Sequence, residues 1–396
     1  MKKILVFGHI PIWFGGKQTS GLSNSMFLLA YNLAEFSNGI SVSMLSTDIF
    51  QPYTRMGKLN IHGWTKKMLI FYVLSNIIFS IKLFYSTYKL NPKELNLSIL
   101  NLLLKRILLH KTISENKPSV LHLHGVTACY YLDIIPGNIE ILVTMHHCLV
   151  NDNSVKNKNI YEKKEKEIYN SKRIHTIVFI ANQVKNEFNK HYGEIIPNSK
   201  VILQGFENEK YKFIDKINKE NNKITLLTVG GITERKGQLR VVKALKSYSS
   251  VFSYICIGNG KEENINELKR AAIENNISLD YLGVLSTEKV RETMASVDFM
   301  ILPSIKEGFG IPYVESISCG VPVIAPKNTP LAYEGILNET NSVLIENETV
   351  ESIESCLSSL IKYNFDRQKV SLSLPNLSWE NSAKKYEKLI ESFQIG

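Results

Sequence analysis

Short apolar runs alternate along this chain with stretches whose apolar residues recur at helical spacing, the rhythm of a strand–helix–strand protein. Residues 2–8 read as a first buried strand and residues 8–20 as a loop that contains Gly15-Gly16. Leu22, Met26, Leu29, Ala30 and Leu33 then form the core face of a helix that Ser20 can cap. Further strands are predicted at residues 40–46, 120–125, 139–144, 176–180 and 201–205. A stretch crowded with Asn, Lys and Glu at 206–223 reads as an interdomain linker. The rhythm restarts with strands at 224–229, 253–257, 279–282, 298–302, 322–325 and 342–345. This pattern predicts two parallel, doubly wound α/β sheets, with no internal repeat beyond the shared βαβ unit.

One apolar segment departs from that rhythm. Met68 to Ile81 is fourteen residues without a charge, set between Lys66-Lys67 and Lys82. It is too short to span a bilayer. Its polar positions do not fall on one clean face, so a buried helix of the first domain is the preferred reading. An interfacial segment whose lysines meet anionic headgroups is the competing one, and Lys105, Arg106 and Lys111 add to its basic surroundings.

At 396 residues, with 44% apolar and 21% charged positions, the chain is long enough for two domains that each bury a core. Cys129, Cys148, Cys256, Cys319 and Cys356 are odd in number and widely spaced, which suits a reducing cytosol better than a disulfide framework or a zinc site. Met1-Lys2-Lys3 and the apolar run after it would resemble a signal peptide, but His9 and Pro11 interrupt the run and no small-residue cleavage site follows. The net charge of +10 is uneven: residues 1–200 hold 24 Lys and Arg against 12 Asp and Glu, and residues 201–396 hold 23 against 25. A basic first half suits an anionic membrane or a phosphorylated substrate. Without zinc-finger spacing or an RNA-binding sheet motif, nucleic acid is not expected as a partner.

The densest chemistry lies in Pro303-Ser304-Ile305-Lys306-Glu307-Gly308-Phe309-Gly310-Ile311-Pro312-Tyr313-Val314-Glu315. Pro303 ends a strand, Gly308 and Gly310 allow a sharp turn and a close ligand, and Pro312 suits a first helical turn. The amides of such a helix start, with their partial positive charge, form a site for a phosphate or diphosphate. Glu315, one turn into the helix, and Glu307 on the loop can each accept hydrogen bonds from sugar hydroxyls. Taken alone, the two glutamates would as readily be a helix-dipole partner and a solvated loop residue.

This stretch, with Cys319-Gly320 and Val321-Pro322-Val323-Ile324 after it, resembles the Glu-x7-Glu signature of the family-4 retaining glycosyltransferases. The resemblance implies a GT-B fold: two Rossmann-like domains, residues 1–205 and 206–378, facing a central cleft, and a C-terminal helix, 379–396, crossing back to the first domain. It implies that Gly308, Phe309, Gly310 and Glu315 bind the donor, that Glu307 serves the sugar, and that Gly15-Gly16 form the loop over the cleft. Met145-His146-His147 is similar to the family's Thr-x-His-Asp, which would put His146 beside the donor sugar, with His147 where Asp is usual. Gly230-Gly231-Ile232-Thr233-Glu234-Arg235-Lys236-Gly237 is similar to the family's Gly-Arg…Lys-Gly, which grips the diphosphate. Lys236 fits that pattern, Gly231 occupies the usual Arg position, and Arg235 is the substitute.

The implied activity is retaining transfer of a sugar from a UDP- or GDP-sugar to a glycan or lipid-linked acceptor. A role in bacterial capsule or O-antigen assembly at the inner face of the cytoplasmic membrane would fit. The chain contains no Asp-x-Asp pair, so Lys236 and the helix start are expected to stabilise the leaving diphosphate without a metal or other cofactor. Three other readings compete with this one. A small soluble acceptor is one. A non-catalytic nucleotide-sugar-binding homologue, favoured by Gly231 and His147, is another. A Rossmann dehydrogenase built on Gly258-Asn259-Gly260 lacks the third glycine, since Lys261-Glu262-Glu263 follows.

Overall fold

The alternation of strand and helix builds two separate sheets in the computed structural model, which describes residues 1–16, 21–90, 92, 98–151, 157–194, 197–217 and 223–393. The chain divides into two units, Met1–Gly205 together with the stretch from Trp379 onward, and Phe206–Ser378.

The first unit runs β1 (Lys2–Phe7), α1 (Gly21–Phe36), β2 (Ile40–Leu45), β3 (Tyr53–Met56), β4 (Leu59–His62), α2 (Lys66–Ser75), α3 (Ile77–Lys89), α4 (Ile99–Asn116), β5 (Val120–His124), β6 (Glu140–Met145), α5 (Lys158–Tyr169), β7 (Thr176–Phe179), α6 (Asn182–Tyr192) and β8 (Asn198–Val201). Its eight strands lie in the order β3-β4-β2-β1-β5-β6-β7-β8, parallel except for the β3–β4 pair. β1 is central because Ile4, Leu5 and Val6 are apolar on both faces and are buried on both. Its order reverses there, β2 on one side and β5 on the other, so the loops after β1 and β5 open a crevice at the strands' C-terminal ends.

The second unit runs β9 (Ile224–Val229), α7 (Gln238–Ala244), β10 (Phe252–Ile257), α8 (Glu262–Glu274), β11 (Ser278–Gly283), α9 (Thr287–Ala295), β12 (Phe299–Ile301), α10 (Ile311–Ser318), β13 (Val323–Pro326), α11 (Pro330–Tyr333), β14 (Ser342–Ile345), α12 (Val350–Leu360) and α13 (Arg367–Leu372). The six strands are parallel in the order β11-β10-β9-β12-β13-β14, with the switch point between β9 and β12. A core of Leu226, Val241, Tyr254, Ile301, Ile324 and Leu357 fills the space between sheet and helices.

The last helix, α14 (Trp379–Glu391), belongs to the first unit. Trp379, Tyr386 and Ile390 enter the core of that unit at helical spacing. Lys2 Nζ donates to the carbonyls of Ile390 (3.0 Å) and Glu391 (2.7 Å) at the helix end, where a cation also opposes the dipole. The chain enters α14 so close to Gly205 that a Cβ there would stand 2.6 Å from the Trp379 ring.

Several expectations change. The strand expected at 201–205 is Asn198–Val201, a half-exposed edge strand whose polar alternation hides it from a search for apolar runs. The expected linker at 206–223 is largely a strap bound to the second unit. Phe206 and Tyr211 are buried, and the Ile217 amide donates to the Ala295 carbonyl at 2.8 Å. Residues 218–222, like the expected cap Ser20, lie outside the described residues. The segment 68–81 is not one buried helix. It is the end of α2 and the start of α3, bent by 103° at Asn76, and α2 buries no residue at all. No single described helix is long and apolar enough to cross a membrane.

Candidate active site

In the second unit the loop after β9 (residues 230–237) and the loop after β12 (residues 302–310) leave neighbouring strands at the switch point, where α/β sheets place ligands. Lys236 ends the first loop and Glu307 lies in the second. Lys236 Nζ donates to Glu307 Oε1 at 2.7 Å, and both side chains are nearly buried. Arg235 joins them: its Nη1 donates to the Lys306 carbonyl at 2.6 Å and lies 3.9 Å from Glu307 Oε1. Gly237 makes this approach possible. It has φ +83°, and a Cβ would stand 2.7 Å from the Pro303 carbonyl oxygen. Arg240 fastens the two loops, donating to the Pro303 and Glu234 carbonyls at 2.8 Å each, and the Ile305 amide donates to the Arg235 carbonyl at 2.9 Å.

The second loop ends at the start of α10, where Gly310 (φ +97°) is the left-handed N-cap and Pro312 occupies the first turn. Gly308 lies in the loop beside Glu307 and is half-buried, whereas Phe309 and Gly310 are buried. Glu315 projects from the second turn of α10. Desolvation pushes its carboxyl up to about 8, against a hydrogen bond from the buried Tyr211 hydroxyl, so at neutral pH it is largely protonated. A protonated carboxyl is both donor and acceptor toward a hydroxyl-bearing ligand.

The first unit holds a different kind of site. A cavity of about 330 Å³ opens at the C-terminal ends of β1, β5 and β6, lined among others by Phe7, His9, Met26, Lys105, His124 and His146. His122 and His124 share one face of β5, with ring centroids 4.3 Å apart. His124 Nδ1 and His146 Nε2 share a hydrogen bond at 3.2 Å, and His122 Nε2 and the Thr144 hydroxyl another at 2.8 Å. Burial holds His122 down to about 3 and pulls His124 and His146 well below the usual imidazole range, with neighbouring histidines adding to each shift. The ladder is therefore neutral at pH 7. At the other wall His9 Nδ1 meets Asp48 Oδ2 at 3.0 Å, and Asp48 also accepts from the Ile10 amide at 3.1 Å. Lys105 is the cation on this wall, its pKa lowered by burial against the opposing pull of Asp48.

Of the ten residues singled out in the sequence, Lys236, Arg235, Glu307, Gly308, Phe309, Gly310 and Glu315 lie on two adjoining loops and the helix start of the second unit. His146, Gly15 and Gly16 are in the first. His146 lines the cavity, whereas Gly15-Gly16 close a tight turn. The Gly16 amide donates to the Pro11 carbonyl at 3.0 Å, and a Cβ on Gly16 would overlap the Ile10 carbonyl oxygen. Sequence reasoning missed Tyr211, which it placed in a linker, along with Arg240, Asp48, His122 and His124. Of these only the alternate histidines of Val120-Leu121-His122-Leu123-His124 left a visible signal, polar residues facing one side of an otherwise apolar strand. Among the described residues no group of three or more His, Cys, Asp or Glu side chains is arranged to hold a metal ion.

Two parallel-sheet α/β units of this kind define the GT-B fold class. A sucrose-phosphate synthase from Thermosynechococcus elongatus superposes with a TM-score of 0.71 over 99% of this chain and 98% of its own, at 14% identity. An Anabaena protein in complex with UDP and glucose does so at 0.67 over 99% and 100%, at 15% identity. Residues 209–393 match the family described as glycosyl transferases group 1. Among curated relatives, an O-antigen biosynthesis glycosyltransferase of Escherichia coli is 28% identical over 155 residues, 36% of this chain and 42% of its own length. The chain spans about half the length or less of the first curated relatives it matches, from 36% to 56%. The sequence likeness is thus to glycosyltransferases, O-antigen enzymes among them.

Proposed function

We propose that the protein is a retaining glycosyltransferase of the family-4 type, moving a sugar from a UDP- or GDP-sugar to a glycan or lipid-linked acceptor in surface polysaccharide assembly. It would act at the cytoplasmic face of a membrane. The observation that carries this reading is the Lys236–Glu307 pair at the sheet's switch point, next to Arg235 and the N-terminus of α10.

Breaking the bond from the anomeric carbon to a nucleoside diphosphate puts an additional negative charge on the departing phosphate. Lys236 and the α10 start supply positive charge there without reorganising, and a nearly buried lysine acts more strongly than a solvated one. Before the donor arrives, Glu307 holds Lys236 in place. Once the diphosphate engages the lysine, Glu307 is free to accept hydrogen bonds from sugar hydroxyls. Glu315, with its proton, pairs with the ribose. In the transfer itself the anomeric carbon–oxygen bond to phosphate breaks, the acceptor oxygen bonds to that carbon on the same face, and the acceptor's proton passes to the departing phosphate. No step of this scheme calls for a metal. The cavity of the first unit, with apolar walls, neutral hydrogen-bonding histidines and Lys105 on one side, suits the hydroxyls of a sugar acceptor. The solved relative bound to UDP and glucose and the O-antigen relative support this choice of donor and pathway class.

Thermal unfolding with UDP, GDP, ADP and NAD, each with and without EDTA, tests the reading. One nucleoside diphosphate at a hundred times its Kd stabilises by about 2.7 kcal/mol, and EDTA leaves the shift intact. Stabilisation by NAD alone contradicts the transferase.

A further inference from the structure

The largest anomaly of the surface is the outer face of α2 and α3. These helices are attached to the protein along one edge only. The Tyr72 hydroxyl meets His110 Nδ1 at 2.7 Å, Phe79 stacks on the His110 ring at 3.8 Å, and Arg106 donates to the Ser86 hydroxyl at 2.9 Å. The opposite face is bare and apolar: Phe71 is 75% exposed, Leu74 65%, Ile78 71% and Ile81 64%, with Tyr85 and Tyr88 continuing the row. Ile78, Ile81, Tyr85 and Tyr88, three and four residues apart, align as one ridge along α3, and Phe71 and Leu74 lie on α2, which meets it at 103°. Soluble surfaces rarely leave so continuous an apolar patch without a partner.

Charge identifies the partner. Between Asp48 and Glu94 the sequence contains no acidic residue but seven basic ones. Lys66, Lys67, Lys82 and Lys89 flank the ridge and are exposed, and among the described residues none of the four pairs with a carboxylate. A second copy of the chain would bring lysine against lysine across a twofold contact with no counter-charge. A surface of phosphates over hydrocarbon matches both halves of the pattern. Neither helix is long enough to span a bilayer by itself. The helices have ten and thirteen residues, about 15 and 20 Å, and meet at 103°, whereas a hydrocarbon core is about 30 Å thick.

We propose that α2 and α3 form a membrane-docking surface, Phe71, Leu74, Ile78 and Ile81 entering the headgroup boundary of an anionic bilayer while Lys66, Lys67, Lys82 and Lys89 bind lipid phosphates. Lysines beside a shallow apolar insertion are the arrangement by which interfacial helices hold anionic membranes. The surface deepens the membrane-side reading of the acceptor given above. Vesicle binding needs neither nucleotide nor acceptor, so its failure would leave the transferase reading standing.

The test is co-sedimentation of the full chain with phosphatidylglycerol–phosphatidylethanolamine vesicles and with phosphatidylcholine vesicles at low salt. Binding to the anionic vesicles that weakens as salt rises is expected, with little binding to phosphatidylcholine. Phe71→Ser/Ile78→Ser/Ile81→Ser should lower vesicle binding roughly tenfold or more, and Lys66→Gln/Lys67→Gln/Lys82→Gln should remove the preference for anionic lipid. The altered side chains are exposed, so circular dichroism and light scattering should show the same fold and the same mass as the parent. No binding by the parent protein overturns the proposal, as does unchanged binding by the serine variant. A parent oligomer that the serine substitutions dissociate overturns it in favour of self-association.

Discussion

The two switch-point sites of this chain share a topology and differ in charge. In the second unit a lysine, an arginine and a carboxylate converge on two loops. In the first, three histidines stand in line, two on β5 and one just past the end of β6, and remain neutral. Loops leaving adjacent strands can bring opposite charges together at the rim, where a ligand exchanges for one partner. Side chains rising from the strands themselves are desolvated by the sheet, and the neutral form wins. The ion-paired loops suit a leaving diphosphate, and the neutral histidine ladder suits the hydroxyls of an acceptor.

Substitution sharpens the contrast. Lys236→Ala should lower kcat by roughly 10²–10³, the usual effect of deleting one preorganised group that stabilises developing charge. Steady-state assay of sugar transfer checks this, and a fully active variant would break the distinction between the sites. Glu307→Gln has a smaller, two-sided effect. The lysine loses its competing carboxylate, so nucleoside diphosphate should bind a few-fold tighter, while transfer slows by roughly tenfold as the sugar hydroxyls lose a charged acceptor. Calorimetric titration and the same assay separate the two results.

The smallest effects concern pH, and here the units should oppose each other. The ladder histidines are held below their ordinary value of 6.5, so the unfolded chain binds more protons as pH falls below it, and stability declines toward acid. Glu315 is raised from 4.5 to about 8, so the unfolded chain loses its proton first, and stability declines as pH rises through that interval. Glu315→Gln should therefore flatten the fall in melting temperature between pH 4.5 and 8 while leaving the decline below pH 4.5 intact. A variant with the parent's slope on both sides would remove Glu315 from the account.

The sequence displayed the charged site and concealed the neutral one for physical reasons. Lys236 and Glu307 stand beside glycines that break strand and helix patterns, and such breaks are visible in one dimension. The parallel strands of the second unit were legible because burial on both faces makes them continuous apolar runs. His122 and His124 lie within such a run, and their ladder to His146 needs the β5–β6 register, which only folding fixes. Tyr211 is hidden because the polar composition around it reads as a linker, although two buried aromatic residues, Phe206 and Tyr211, bind that strap to the unit. The fourteen uncharged residues of α2 and α3 were visible. Their exposure was not, since apolar composition does not say which side of a helix will find a partner. The hairpin β3–β4, with polar residues at most outward positions, left too little contrast to be read.

The most direct test of the central claim, that Lys236 at the second unit's switch point holds the donor diphosphate, is calorimetric titration of UDP and GDP into the parent protein and into Lys236→Ala. One of the two nucleotides should bind the parent at one site per chain, and the substitution should weaken that binding roughly ten- to hundredfold, about 1.4–2.8 kcal/mol. The same Kd for both proteins would contradict the claim.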